Sequence, residues 1–464
     1  MTKRFRSSDL DQMYLLPPSL QDWLPEEHLA HFVAELTERL DIKDFLTRYE
    51  KGDGRGLAAY HPVLMLRLLL YGYCVGKRSS RQIQKATHDD VAFRYLAANQ
   101  HPDHATIAAF RKQNLDAITK LFEQVLLLCR KAGLVRLGAI AIDGTKIQAN
   151  ASREATSRYN DLSAQEERLK RKVQEMLQDA ERVDQEEDAR YGAAGTQQDL
   201  PPELATTQQR LEKIHEIKQL LEQEAKEKAQ KAQDERDASG GKHRNERMKK
   251  RYQRARQPIE KSNPQYNEVD PDSKLMPDAA TGGFVQAFNA QVAVDAQTQI
   301  IVAATVTSQI NDREQLQPMA ERTEQHLQGD RPQVLLADAG YFSEEAVSKL
   351  QADKWNVIVT PDGGRKKQDE QSGLPEPRNR PKGEVGEAMR KRLRDTIDGK
   401  IYKLRKEIVE PVIGQIKEGR GVRRFLLRGL EAVQGEWHLV CLTHNLLKMF
   451  RAENGLLQVA PVRT

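Results

Sequence analysis

The chain has 464 residues, 30% of them charged, three cysteines and a formal net charge of only +5. This length allows two or three domains with sizeable cores. The cysteines lie far apart and form no CxxC pair, which excludes a disulfide framework and a zinc site and favours a reducing compartment. Because the sequence has no apolar signal region and no run long enough to span a bilayer, we expect a cytoplasmic protein without membrane attachment.

Residues 1–132 are predicted to form a helical domain. Pro62 is placed to begin an apolar helix, Ser79 to cap a second, and the turn at 101–106 to precede a long helix through Leu128. Short helices joined by tight turns, with basic residues outside, are typical of a small DNA-binding bundle. A helical domain with a merely charged surface has the same pattern, so both readings stay open. The candidate DNA contacts of this region are Arg78, Arg81 and Arg111.

Two short apolar runs are each predicted to form a buried strand that ends on an aspartate. Asp143 follows the run at 140–142, and Asp338 follows the run at 334–337. An ionised carboxylate in such a place is costly unless a cation pairs with it, and a metal ion is one such cation. The two strands therefore predict two carboxylates that meet at one edge of a sheet.

Residues 155–260 have the character of an insertion between these two strands. Heptad-like apolar spacing on both sides of a Gly/Pro break at 191–202 predicts an antiparallel helical hairpin or coiled coil. A basic run at 242–256 follows, which is either a solvated face or a DNA contact. Its candidate DNA contacts are Lys249, Lys250 and Arg251.

The rest of the chain predicts a mixed sheet. Apolar residues that alternate over 284–294 and a β-branched run over 300–307 predict a β-hairpin. Asp312 is expected to cap a helix, 357–360 to form another buried strand, and a long basic helix to begin near Glu387. We therefore predict an α/β fold (α+β mixed sheet) over 133–454, interrupted by the 155–260 insertion, and a tail over 455–464.

Two aspartates on strands and a glutamate on a later helix are the components of a two-metal phosphodiester site. Hard ions such as Mg²⁺ or Mn²⁺ prefer carboxylate oxygens. Two such ions about 4 Å apart can activate the attacking oxygen and stabilise the leaving one. Glu410 is the best glutamate for this role, because basic residues that could hold DNA phosphates share its helix. Glu407 and Glu418 are the alternatives on the same helix.

The chain resembles the DDE transposases of bacterial insertion sequences, which have an RNase H-like catalytic domain and a helical N-terminal domain. The stretches that carry the resemblance are Pro62 to Arg111, Asp143-Gly144-Thr145-Lys146, Phe288 to Asp295, Asp338-Ala339-Gly340-Tyr341 and Tyr402 to Lys417. The resemblance implies that Asp143, Asp338 and Glu410 are the acidic triad that binds two Mg²⁺ or Mn²⁺ ions. It also implies that Tyr402, Arg405, Glu410 and Lys417 are the family's signature residues. Arg405 lies one residue too far from Glu410 for that signature and Lys406 has the usual spacing, so either can fill the arginine's part.

Such an enzyme would bind the terminal inverted repeats of its own element, hydrolyse the phosphodiester at the element end and join the 3′-hydroxyl to target DNA. Its partner is double-stranded DNA, and pairing two ends implies a homodimer or larger assembly at the bacterial nucleoid. Two other classes stay open. One is a metal-dependent nuclease without strand transfer, or an inactive transposase copy. The other is a non-enzymatic DNA-binding coiled-coil protein.

Overall fold

The structure is a computed structural model that divides into two compact units. One contains the described residues up to Asn150 and from Met276 onward, and the other contains residues 151–275. The predicted break at 192–201 and the tail at 455–464 lie outside the described residues. No helix of the described part is both long and apolar enough to cross a bilayer. The structure describes residues 19–47, 59–191, 202–238, 246–278, 282–361, 363–368, 375–379, 383–394 and 397–453.

The first unit begins with short helices whose starts follow the expected caps. Pro62 is in the first turn of its helix, Ser79 forms a capping box with Gln82, and Asp103 accepts hydrogen bonds from two backbone amides. The predicted long helix through Leu128 is wrong, because it is interrupted at Asn114, whose Nδ2 donates to the Phe110 carbonyl at 2.7 Å. The helices are α1 (Leu29–Arg39), α2 (Lys43–Leu46), α3 (Pro62–Cys74), α4 (Ser80–Asp89), α5 (Val91–Leu96), α6 (His104–Gln113) and α7 (Leu115–Lys131).

A mixed sheet forms the centre of the first unit. Its strand order is β4-β5-β1-β7-β8, and β6 also pairs with β5. β1 is antiparallel to β5 and parallel to β7, β7 is parallel to β8, and β5 and β6 form the expected hairpin. The strands of the described residues are β1 (Ala139–Gln148), β2 (Thr156–Arg158), β3 (Gln265–Asn267), β4 (Lys274–Pro277), β5 (Phe284–Asp295), β6 (Ile301–Thr307), β7 (Val334–Ala337), β8 (Val357–Val359), β9 (Gly363–Gln368) and β10 (Pro375–Asn379).

The second unit is built on two long antiparallel helices. Tyr159 Oη donates to Glu222 Oε1 at 2.6 Å, and Lys218 Nζ donates to Glu166 Oε2 at 2.6 Å. Residue numbers therefore increase along one helix as they decrease along the other, so the two helices run in opposite directions. Their shared core contains Tyr159, Leu162, Ile214, Ile217 and Leu221. β2 and β3 pair antiparallel within this unit. Its helices are α8 (Tyr159–Tyr191), α9 (Pro202–Ala238), α10 (Glu246–Ala255) and α11 (Ile259–Ser262).

The first unit ends with helices that cover the sheet. The predicted single helix from Glu387 is wrong, because the chain forms three helices and a π-helical turn, Gln415–Gly419. Gly399, inside the second of these helices, permits its close approach to the end of the first, since a Cβ there would overlap the Leu393 carbonyl oxygen. Trp437, in the last helix, is fully buried. These helices are α12 (Leu316–His326), α13 (Glu344–Ala352), α14 (Glu384–Leu393), α15 (Ile397–Lys403), α16 (Arg405–Gly414) and α17 (Leu430–Glu453).

Candidate active site

Asp143 and Asp338 lie on neighbouring strands. The parallel register of β1 and β7 pairs Ile142 with Ala337, so the next residue of each chain segment is a carboxylate. Asp338 directly follows β7, as expected. Asp143 does not end its strand, because β1 continues in antiparallel pairing with β5 as far as Gln148. The sequence therefore predicted the strands correctly and the position of Asp143 within its strand wrongly.

The surroundings of the two carboxylates differ. Asp338 Oδ1 accepts a hydrogen bond from the Gly340 amide at 2.7 Å and so caps a short 3-10 turn. Asp143 Oδ1 accepts one from the Gly144 amide at 2.9 Å. Burial raises the pKa of Asp143 to about 6; Arg405 opposes the increase, and the negative charge of Asp338 adds to it. Asp143 is thus a carboxylate whose ionised form needs a cation nearby.

Arg405 provides one such cation. Its Nη1 donates to Asp143 Oδ2 at 3.0 Å from the first turn of α16, and the arginine is buried. Tyr402 lies beside it, and burial raises the pKa of the Tyr402 phenol. Lys406, the alternative for the signature arginine, is exposed. Of the two residues that the sequence left open, Arg405 is the one that contacts Asp143.

Lys417 contacts β1 through its ammonium group. The Nζ atom donates to Thr145 Oγ1 at 3.1 Å and to the Lys146 carbonyl at 3.0 Å. Burial lowers its pKa. Lys417 therefore fastens the π-helical turn to the strand that carries Asp143.

Asp312 belongs to the same region, although the sequence reading made it a helix cap. That reading is wrong, because α12 begins at Leu316 and has no side-chain cap. Asp312 Oδ1 instead accepts hydrogen bonds from Asn289 Nδ2 and Gln291 Nε2, both at 2.7 Å. Asn289 and Gln291 lie two residues apart and so on one face of β5, among apolar neighbours, and this was the signal that could have revealed the polar cluster.

Gly144 is required by this cluster and not by a turn. A Cβ at this position would overlap Gln291 Nε2 and lie 2.7 Å from Asp312 Oδ1. Gln291 is fixed further by the buried Tyr341, whose hydroxyl donates to its Oε1. The Asp-Gly pair thus leaves room for side-chain amides beside the carboxylates.

Glu410 is not brought into a group with the two aspartates. It is exposed on α16 and makes no hydrogen bond or ion pair with the part of the chain that the structure describes. Across the described ranges, no three acidic, histidine or cysteine side chains are grouped so that they could hold a metal ion. Asp143 and Asp338 offer the carboxylate oxygens that a hard divalent ion prefers as ligands.

Two of the arginines that were expected to face DNA are buried instead. Arg78 donates to the carbonyls of Arg424 and Gly421, both at 3.1 Å, and Arg111 donates to Tyr73 Oη at 3.2 Å. Their expected position on the outer surface is therefore wrong, because their guanidinium groups satisfy polar atoms inside the protein. Arg81 and Lys249 are exposed, whereas the side chains of Lys250 and Arg251 lie outside the described structure.

Two models of known protein families match segments of this chain. The model of a family described as Transposase DDE domain matches residues 263–446, which include Asp338 and Glu410. The model of a family described as Transposase domain (DUF772) matches residues 18–113, where α1 to α6 lie. Together the two matches cover more than half of the chain. No curated protein and no solved structure matches it significantly.

Proposed function

This chain belongs to the DDE transposases of insertion sequences, and we propose that it moves its own element by cutting and joining DNA. It binds the terminal inverted repeats, hydrolyses the phosphodiester at each element end and joins the resulting 3′-hydroxyl to target DNA. Water and then the 3′-hydroxyl attack in line, and no covalent protein intermediate forms. Because two ends must be held together, at least two copies act on the DNA.

The observation that carries the proposal is the position of Asp143 beside Asp338 on adjacent parallel strands. We propose an RNase H-like core, which the sheet supports through three antiparallel strands (β6, β5, β1) continued by two strands parallel to β1. Asp143 and Asp338 would hold two Mg²⁺ or Mn²⁺ ions, and Glu410 would complete the set. Bound there, such ions activate the attacking oxygen and stabilise the leaving one.

The basic residues of the chain would bind the DNA backbone. Arg81 and Lys249 are exposed and free to meet phosphates, and Lys250 and Arg251 continue the same basic run. Arg405 neutralises part of the negative charge of Asp143. Arg78 and Arg111 have no place in this interface, because their donors are used within the protein.

A cleavage and joining assay tests the proposal. Purified protein is incubated with Mn²⁺ or Mg²⁺, DNA that carries the sequence flanking its own gene, and a target plasmid. We expect cuts at a defined end and joined products, both abolished by Asp143→Ala, Asp338→Ala and Glu410→Ala. Glu431→Ala, which removes an exposed carboxylate at the start of α17, serves as the matched control and should cut normally.

The other outcomes separate the remaining readings. Cuts without joined products would indicate a nuclease. Salt-dependent binding without cuts by any version would indicate a DNA-binding protein or an inactive copy. Loss of cutting in Glu407→Ala or Glu418→Ala, with Glu410→Ala active, would move the third carboxylate along the helix.

A further inference from the structure

Three basic side chains lie on the strand that carries Asp143 or contact that strand or Asp143 itself, and their donors are used differently. Arg405 Nη1 donates to Asp143, and Lys417 Nζ donates to Thr145 and to the backbone of β1. Lys146 Nζ makes no hydrogen bond with any described residue. Its nearest carboxylate oxygen, Asp312 Oδ1, lies 3.9 Å away. The ammonium of Lys146 therefore keeps its donors available among the described residues.

The position of Lys146 suits contact with an incoming anion. It lies on the same face of β1 as Gly144, its side chain is 21% exposed, and its charge interacts with Asp312, Asp143 and Asp338. A phosphodiester that approaches these carboxylates is repelled by their charge. A cation on the same strand with unused donors offers a charge-assisted hydrogen bond to a non-bridging phosphate oxygen.

Asp312 explains why this ammonium is held near the site without being captured. A carboxylate oxygen has two lone-pair directions, and Oδ1 of Asp312 already accepts two amide hydrogen bonds at 2.7 Å, from Asn289 and Gln291. Asp312 thus attracts Lys146 by charge, while Oδ1, the oxygen that lies 3.9 Å from the ammonium, already has its acceptor directions in use. Because Gln291 is itself fixed by Tyr341, the arrangement is rigid.

We propose that Lys146 binds the scissile DNA phosphate, and that Asp312, with Asn289 and Gln291, is the positioning residue that holds it there. This inference rests on the proposed function, since it requires an element end at the carboxylates. It assigns a substrate contact to a residue that neither the acidic triad nor the signature residues include.

The test is DNA binding without metal, which separates the lysine from the ions. The affinity of the full chain in EDTA is measured for an element end with a normal scissile phosphate and for one with an uncharged methylphosphonate there. We expect the wild type to prefer the charged end about tenfold, the value of one hydrogen bond to a charged group. Lys146→Ala should bind both ends equally, Lys146→Arg should keep part of the preference, and Asp312→Asn should reduce it. Lys349→Ala, at an exposed lysine on α13, should keep it in full.

Thermal unfolding of each variant shows whether it is folded, and cleavage of the charged end by the wild type with Mn²⁺ is measured in parallel. A wild type that cuts the end but shows no preference for the charged phosphate would overturn the inference and leave the proposed function standing. So would a Lys146→Ala variant that keeps the preference. A wild type that neither binds nor cuts any element end would overturn the proposed function, and the inference with it.

Discussion

Arg405 donates a hydrogen bond to Asp143 across a separation of 262 residues in the chain. The guanidinium occupies one oxygen of the carboxylate that a metal ion would need. The charge of Asp143 is therefore partly compensated by Arg405, and an ion bound at Asp143 as proposed would compete with this arginine. We therefore expect the stability of the protein to depend on pH and on divalent metal.

Replacement of Asp143 by asparagine should stabilise the metal-free protein at alkaline pH. The pKa of Asp143 in the folded protein, about 6, lies above the ordinary 3.8, so folding opposes ionisation of this carboxyl. The wild type therefore loses stability as pH rises from 3.8 to 6, and the loss is complete above pH 6. We expect Asp143→Asn to exceed the wild type by up to about 3 kcal/mol at pH 8 and to equal it near pH 4. Urea unfolding in EDTA measures the difference. Asp353→Asn, at an exposed position, should show none, and a gain that is independent of pH would contradict the explanation.

Divalent metal should raise the unfolding temperature of the wild type. An ion that binds only the folded state stabilises it by mass action. Asp143→Asn and Asp338→Asn should weaken the increase, as should Glu410→Gln if its side chain moves to the ions. The measurement is a thermal scan with Mn²⁺ or EDTA, with Glu431→Gln as the control. An equal shift in all proteins would remove these carboxylates from the metal site.

Gly144→Ala should destabilise the protein by about 1–3 kcal/mol, the usual cost of forcing atoms into a packed region. The new methyl group would overlap the Gln291 amide beside Asp312. Gly414→Ala is the matched control, because no atom lies within 4 Å of an added Cβ there. That change should be neutral or slightly stabilising. Chemical denaturation measures the free energy of unfolding of both variants. Similar losses of this free energy in the two variants would show that the polar cluster can adjust to the added methyl group.

Arg78→Ala should lower stability, whereas Arg81→Ala should weaken DNA binding and leave stability nearly unchanged. Arg78 contacts the fully buried Glu436, so its removal should cost about 3–5 kcal/mol. Arg81 is exposed, and its removal should leave stability within about 0.5 kcal/mol but lower the salt slope of DNA binding by about 1. Thermal unfolding and salt-dependent affinity test the pair. A normal salt slope for Arg81→Ala would remove that residue from the interface.

Acid should destabilise the first unit through His438. This histidine stacks on Phe122 and lies within hydrogen-bonding distance of Thr119 and Ala304. Burial lowers its pKa to about 4 from 6.5. The unfolded chain therefore binds the proton first, and stability falls as pH drops from 6.5 to 4, by about 3 kcal/mol in total.

His438→Gln should show a shallower pH dependence of unfolding over that range, measured by urea titration at several pH values. His88→Gln, at an exposed histidine, should leave the slope unchanged. An unchanged slope in His438→Gln would place the acid-sensitive group elsewhere.

The local patterns of the sequence predicted local structure well. Apolar runs located β7 and β8, and Ser79 and Asp103 marked the starts of their helices. The length of helices was predicted less well, since the separation of α14 from α15 brings Gly399 against the Leu393 carbonyl, and the local pattern does not report this contact.

The candidate site depended on distant residues, which local patterns do not report. The contact of Asp312 with Asn289 and Gln291 joins a loop to the middle of a strand. The burial of Arg78 depends on Glu436, far along the chain. A basic residue between short helices gives the same sequence pattern whether it faces solvent or a buried carboxylate.

Helix α17 has a consequence for how the chain folds in the cell. Through Glu436, Asn445 and His438 it contacts α3, β6 and α7, and the contact between Tyr73 and Glu436 spans 363 residues. Contacts between residues so far apart in the chain slow folding. The ribosome also releases α17 long after the helices that it must cover. The amino-terminal helices of a nascent or interrupted chain keep their apolar surface exposed to chaperones and proteases, so incomplete products should be removed by the cell.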